Sequence, residues 1–291
     1  MEYFNQYTEA CEGFWNYCEA ENEETEYPNI EGPVHITTGS SDIKQVYLRM
    51  INSLLTFSHT AEDPYFRGYA EIKYYSLVES TWIQKGTKWY EMELYAGKVA
   101  QCCLLFFDKD AYDRWFSYLK RICIIRGATI KPIDVLGSGA FAKVYKTSDG
   151  YAAKVIDKNR VKEMGISNHI KMEIDIHRSL DHPNIVKLHE VHETDKQIIL
   201  VLELVEGHEL YQKCKLKLGE DDTRKIMEQI LSAVAYLHKK YIMHLDIKPE
   251  NIMVTKQNQI KLLDMGIARK FVWSSEVRCG TAGYIAPEII R

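Results

Sequence analysis

The sequence predicts an α+β chain in two successive parts: a small antiparallel β-barrel closed by a C-terminal helix, then a bilobal mixed domain. Three observations predict it. Between residues 32 and 125, short alternating or apolar β-rich runs recur with turn residues between them and end in one amphipathic stretch. From Ile130 the pattern becomes strand, glycine-rich loop, strand. Further on, a hydrophobic helical stretch is followed by HLDIKPEN, from His244 to Asn251, which sets an Asp, a Lys and an Asn at offsets 0, 2 and 5 of a short polar loop.

Composition allows this organisation. At 291 residues and 46% hydrophobic, the chain can bury a core in each of two domains. A net charge of −4 argues against bulk nucleic-acid binding. The charge is uneven, because residues 1–32 hold nine acidic residues and no Lys or Arg, which leaves the remainder at +5. The seven cysteines are odd in number and form no C-x-x-C, so reduced thiols of a cytoplasmic protein are expected rather than a disulfide framework or a zinc site. The acidic start is not a signal peptide, and no run approaches 18 apolar residues.

Residues 1–31 form an acidic, aromatic segment. Phe4, Tyr7, Cys11, Phe14, Trp15 and Cys18 fall at helical steps, which predicts one helix face. It reads as a helix packed on its own domain or a partly ordered tail; a docking or autoinhibitory segment is the alternative. Residues 32–125 then give strands over Pro33–Thr38, Val46–Ile51, Leu54–Ser58, Tyr69–Tyr75, Leu77–Ile83, Trp89–Tyr95 and Val99–Phe107. A helix follows, with Asp110 as its expected cap and Tyr112, Trp115, Phe116, Leu119 and Ile122 as its apolar face.

The runs KQVYLRMINSLLTF and LLFFDKDAYDRWFSYLKRI make this part resemble a pleckstrin homology domain, with Trp115 where that family has its helix Trp. The resemblance implies a phosphoinositide or protein ligand and leaves peripheral membrane contact open. Lipid-binding members surround the headgroup with cations from the first two strands. Here Pro33–Thr38 has none, Val46 stands where an Arg is usual, and only Lys44 and Arg49 are near. A protein-binding or purely structural barrel stands beside the lipid reader.

Residues 126–291 follow in order. LGSGAFAKVY, from Leu136 to Tyr145, places Gly137 and Gly139 where backbone can approach a phosphate, with Phe141 at the tip; taken alone it is a turn between strands. AAKVI puts Lys154 in an apolar strand, where a cation needs a partner. Glu173 is that partner, on the following helix. IILVLEL is a buried strand, and Glu220–Lys239 is a helix with Ile226, Ile230, Leu231, Val234 and Leu237 on its core face. The polar loop offers what phosphoryl transfer needs: Asp246 to accept a hydroxyl proton, Lys248 to face the moving phosphoryl group, and Asn251 for a metal ion. Asp264-Met265-Gly266 and CGTAGYIAPE, from Cys279 to Glu288, complete the series.

In that order these motifs resemble the protein kinase superfamily, and the form HLDxKPENIM resembles its calcium/calmodulin-dependent Ser/Thr group. The resemblance implies ATP and Mg²⁺. Leu136, Gly137, Ser138, Gly139, Ala140, Phe141, Val144, Ala152, Glu203, Val205 and Glu209 would line the nucleotide site, with Leu202 gating the deeper pocket. Lys154 would hold the α- and β-phosphates and Glu173 would hold Lys154; Asn251 and Asp264 would bind the metal. The expected reaction carries the γ-phosphoryl group of Mg-ATP to Ser or Thr of a protein, with Glu209 and Glu250 favouring basic substrates. Leu245 replaces the Arg that usually precedes the catalytic Asp, and Val277 stands at the usual phosphosite, so activation without loop phosphorylation is expected; Ser274 and Ser275 remain as alternative sites. The series ends at Arg291 with the second lobe short. That predicts uncovered apolar surface at Ile247, Ile252 and Tyr284, and either a fragment or a truncated, catalytically impaired scaffold that acts by binding ATP and partners.

Overall fold

Alternation in the first part becomes a long antiparallel sheet. The structure, a computed structural model, describes residues 16–21, 29–37, 43–51, 53–62, 65–72, 75–84, 87–96, 99–126, 130–271 and 279–290. In chain order the first elements are β1 (Asn16–Glu21), β2 (Ile30–Thr37), β3 (Lys44–Ile51), β4 (Leu54–Ser58), β5 (Tyr65–Glu71), β6 (Ser76–Gln84), β7 (Thr87–Ala96), β8 (Val99–Phe106), α1 (Lys109–Ile122) and β9 (Ile124–Arg126). Then come β10 (Pro132–Ser138), β11 (Ala142–Thr147), β12 (Tyr151–Asp157), α2 (Lys158–Glu163), α3 (Ser167–Arg178), β13 (Leu188–Glu193), β14 (Gln197–Glu203), β15 (Gly207–Glu209), α4 (Leu210–Lys215) and α5 (Glu220–Lys239). The last are β16 (Ile242–Met243), a 3-10 turn at Pro249–Asn251, β17 (Ile252–Thr255), β18 (Ile260–Leu262), β19 (Arg269–Lys270) and α6 (Pro287–Ile290). Two units form: residues 1–129 with Glu190–Ile199, and residues 130–189 with 200–291. No helix among the described residues is long and apolar enough to cross a membrane.

In the first unit the strand order is β1-β5-β4-β3-β2-β8-β7-β6-β9-β13. Inward positions alternate as the pleat requires: Val46, Leu48 and Met50 on β3 are buried, as are Met92 and Leu94 on β7. Tyr112, Trp115 and Leu119 of α1 complete the same core, so Trp115 is a packing residue. Arg49 points to the other face and is still only 9% exposed. Its guanidinium donates to Ser58 Oγ at 2.7 Å and to the Ala61 carbonyl at 2.5 Å, and pairs with Glu31 at 3.2 Å.

Several expectations are corrected here. Asn16–Glu21 is a strand on β5, in register Asn16↔Tyr69 and Glu21↔Tyr65, so the helical reading fails where Cys18 stands. Phe4 to Trp15 of that reading lie outside the described residues. The strand expected over Tyr69–Tyr75 runs four residues earlier, because Tyr75 N–H closes a turn onto the Ile72 carbonyl at 3.0 Å. Asp108, not Asp110, caps α1: it accepts the N–H groups of Asp110 and Ala111 at 3.2 and 3.1 Å. Strand β9 was not foreseen. It lies parallel to both β6 and β13, and Ile124 is fully buried.

In the second unit β14, β12, β11 and β10 are successive neighbours, and β15, β17 and β18 form a small sheet. Its core joins Ile226, Ile230, Ala233 and Leu237 of α5 to Ile252, Val254, Ile260 and Leu262. Leu231 is 60% exposed, which corrects its place on the core face. Ile252, the first residue of β17, is buried, against the expectation of uncovered surface there, whereas Ile247 and Tyr284 are exposed. Met265 is fully buried, as an apolar residue at that position should be.

Candidate active site

Strand β12 carries Lys154 opposite Val144 of β11, with Ala152 two residues earlier on the same face. The Lys154 ammonium meets Glu173 Oε1 of α3 at 2.5 Å and Asp264 Oδ1 at 2.9 Å. Burial works against the lysine's charge, but the two carboxylates prevail and raise its pKa. Glu173 is 2% exposed, and burial pushes its carboxyl up in spite of Lys154. Asp264 is the open member, with its side chain 51% exposed. Burial raises its pKa, and Lys154 and the Gly266 N–H at 3.2 Å more than reverse that. A Cβ on Gly266 would lie 3.1 Å from Asp264 Oδ1, so glycine leaves that carboxylate room.

A second cluster forms on the loop after α5 and β16. Asp246 Oδ1 accepts the Thr281 hydroxyl at 2.5 Å. Its Oδ2 meets Lys248 Nζ and Asn251 Nδ2, each at 2.9 Å. Lys248 also donates to Thr281 Oγ1 at 2.7 Å. Partial burial opposes the Asp246 charge, yet Lys248, Thr281 and Asn251 hold its pKa below the usual aspartate range. His244 fixes the backbone beneath: its Nδ1 accepts the Asp246 N–H at 3.2 Å and its Nε2 faces the Leu263 carbonyl at 3.0 Å. That pairing makes it a neutral Nε2–H imidazole, and burial lowers its pKa accordingly. Leu245 sits between them at φ 68°, a left-handed conformation uncommon for a side chain of this kind. Its carbonyl lies so close to Gly280, at φ 130°, that a Cβ there would approach within 3.2 Å.

The two clusters are joined through backbone. Leu263, next to Asp264, donates its N–H to the Asn251 carbonyl at 2.8 Å. Asn251 directs its amide nitrogen at the Asp246 carbonyl and Oδ2, at 2.9 Å each, which leaves its Oδ1, like the half-open Asp264 carboxylate, an oxygen of the kind that a hard divalent cation takes.

The glycine-rich turn joins β10 to β11, with Leu136, Gly137 and Ser138 ending β10 and Gly139, Ala140 and Phe141 forming the tip. A Cβ on Gly137 would meet no protein atom and one on Gly139 only the Ala142 carbonyl at 3.7 Å. The chain's own packing therefore does not require these glycines; close approach of a ligand would. At the end of β14, Glu203 accepts from Lys261 at 2.7 Å and from the Lys187 N–H at 3.2 Å. Val205 follows in the segment before β15, and Glu209 ends β15 against Met253. The structure thus unites Lys154, Glu173 and Asp264, and separately Asp246, Lys248 and Asn251, while the strand ends and the linker after β14 carry the remaining expected residues.

Sequence reasoning did not foresee the roles of His244, Lys261 and Thr281. His244 was visible two residues before Asp246; the other two act across 58 and 35 residues. Val277, Ser274 and Ser275, invoked for loop phosphorylation, lie outside the described residues.

A family model described as a protein kinase domain matches residues 130–291, more than half of the chain. The chain is 43% identical over 166 residues to CBL-interacting serine/threonine-protein kinase 15 of Arabidopsis thaliana, covering 53% of this chain and 39% of that protein. It is 39% identical over 168 residues to CBL-interacting protein kinase 2 of Oryza sativa subsp. japonica, covering 54% and 38%. To the human serine/threonine-protein kinase DCLK3 it is 42% identical over 167 residues, covering 54% and 26%. The chain thus spans well under half the length of these curated relatives.

Proposed function

Because the chain belongs to the protein kinase family, we propose that its second unit transfers the γ-phosphoryl group of ATP to Ser or Thr hydroxyls of protein substrates. One observation carries this reading. An ionised Asp246 already accepts a hydroxyl proton donor, while Lys248 faces the same hydroxyl oxygen. Thr281 makes the contact that a substrate hydroxyl would make.

The chain's residues then divide the work. Asp246 takes the proton as the hydroxyl oxygen attacks the γ-phosphorus. Lys248 faces the charge on the moving phosphoryl oxygens, and the bond to the β-phosphate oxygen breaks to leave ADP. Lys154, held by Glu173, binds the α- and β-phosphates. Asp264 and Asn251 would hold Mg²⁺, which would supply charge neutralisation for the nucleotide's phosphates. Leu136, Val144 and Ala152 with the Glu203–Val205 backbone would enclose adenine, and Glu209 would meet the ribose. Glu250, in the 3-10 turn after Lys248, would meet a cation of a basic substrate.

The test is transfer from Mg²⁺-ATP to an Arg-containing Ser peptide. Asp246→Asn should lower the rate by about 10²–10⁴ without unfolding the protein. Equal turnover by the variant would end the proposal. The second reading, an ATP-binding scaffold, is favoured by apolar exposure at Leu231, Tyr241 and Phe271; it predicts ATP binding with no turnover above the Asp246→Asn control.

For the first unit, the order β5-β4-β3-β2-β8-β7-β6 followed by α1 supports the pleckstrin homology-like reading. Arg49 is already engaged by Glu31, Ser58 and Ala61, which favours a protein-binding or structural role over a phosphoinositide headgroup. Binding to phosphoinositide-containing vesicles that is lost on Arg49→Met would reverse that preference.

A further inference from the structure

The tip of the glycine-rich loop is gripped from outside the site. Arg160, on α2, donates Nη1 to the Ala140 carbonyl at 3.0 Å. The next peptide is held as well, because Asp157 donates its N–H to the Phe141 carbonyl at 3.1 Å. Asp157 also caps α2, its Oδ1 accepting the N–H groups of Asn159 and Arg160 at 2.8 and 3.2 Å. One residue at the end of β12, the strand of Lys154, therefore anchors both the loop and the turn that presents Arg160.

Peptide geometry gives this grip a consequence. In a planar trans peptide the carbonyl and the N–H point in opposite directions. Drawing the Ala140 and Phe141 carbonyls toward Asp157 and α2 turns the Phe141 and Ala142 N–H groups the other way. The Phe141 N–H has no acceptor among the described residues. Beside it Gly137 borders open space. Successive outward N–H groups on a glycine-rich turn make a concavity that favours an anion.

We propose that Arg160 is a positioning residue for the nucleotide's phosphates: by holding the Ala140 carbonyl, it presets the loop N–H groups to donate to phosphate oxygens. The inference rests on the kinase reading and adds a residue that touches neither nucleotide nor substrate. Arg160 is exposed, so its replacement should not unfold the chain.

The experiment measures affinity of the full chain for Mg²⁺-ATP and for adenosine by calorimetry. Salt is kept near 0.5 M so that a mere loss of positive charge is screened. Arg160→Met should weaken ATP about five-fold, a size fitting the net worth of one ordinary hydrogen bond, and leave adenosine within about two-fold. Arg160→Lys should recover most of the loss, and KM for ATP should rise with kcat little changed. Equal weakening of ATP and adenosine, or no change in either, would overturn the proposal. Wild-type protein that binds neither ligand would bring down the kinase reading itself, and this inference with it; that outcome is recognised before any substitution is made.

Discussion

The two units treat their charged residues in opposite ways. In the first, Arg49 is enclosed: Glu31, Ser58 and the Ala61 carbonyl take its donors, Tyr47 lies 4.8 Å beneath its guanidinium, and 9% of the residue is exposed. In the second, one carboxylate of the Lys154 cluster is left open. Glu173 at 2% exposure backs Lys154, while Asp264 on the same ammonium is half open. A charge satisfied all round stabilises a fold and is chemically silent. A charge fixed from behind and open in front is available to a ligand, which is how a site is preorganised.

The largest break in that contrast should come from Lys154→Met. It leaves Glu173 buried without its cation, next to Asp264. We expect a loss of about 3 kcal/mol, read by chemical denaturation, together with loss of ATP binding. Glu173→Gln leaves Lys154 its Asp264 partner and should cost clearly less. Equal costs for the two would mean that the open carboxylate contributes nothing to the pair.

A pH titration tests the enclosed side of the second unit. His177 is fully buried, with Nε2 2.8 Å from the Val186 carbonyl, and burial pushes its pKa down to about 4. The unfolded chain binds a proton near pH 6.5 that the folded chain refuses. Stability should therefore fall as pH drops from about 6.5 toward 4, by roughly 3 kcal/mol in all, and be flat above 7. His244, also lowered by burial, acts in the same sense. Asp246 and Asp264, whose pKa values are depressed, add their loss only at lower pH, as the folded carboxylates protonate. His177→Gln should flatten the slope between pH 6.5 and 5; an unchanged slope would rule out His177 as its source.

Arg49→Met sharpens the contrast from the other unit. Removing the guanidinium strips partners from Ser58 and the Ala61 carbonyl and should cost about 2 kcal/mol. The proposed phosphoryl transfer, measured per folded molecule, should not change. A variant as stable as wild type would mean that this enclosed charge is not structural.

The residues that cluster in the second unit were more legible in the sequence than the architecture of the first. Lys154, Glu173, Asp246 and Asp264 stand in motifs whose order and spacing resemble the protein kinase family, and the structure brings Lys154, Glu173 and Asp264 together. What escaped was set by distant partners. Asn16–Glu21 follows aromatic residues that suit a helix face, and only its pairing with β5, some fifty residues away, makes it a strand. Leu231 stands one residue beyond the buried stripe Ile226, Ile230, Ala233, Leu237, and the width of that stripe depends on what covers α5. Thr281 could be read as a kinase-type marker, yet its bond to Asp246 spans 35 residues and has no local signal.

The smallest effect concerns the start of α1, which the sequence reading placed at the wrong aspartate. That reading put the cap at Asp110. In the structure Asp108 has extended backbone and its two oxygens accept the N–H groups of Asp110 and Ala111, whereas Asp110 lies inside the first turn. Asp108→Ala should thus cost about 1 kcal/mol, the usual loss of a capping side chain. Asp110→Ala removes only a favourable charge near the positive helix end, worth about 0.3 kcal/mol and screened by salt. The pair is best measured as denaturation midpoints at low and high salt. A larger, salt-insensitive loss for Asp110→Ala would move the start of α1 by two residues. It would also shift Tyr112, which the present start places to donate to Glu79 Oε2 at 2.5 Å.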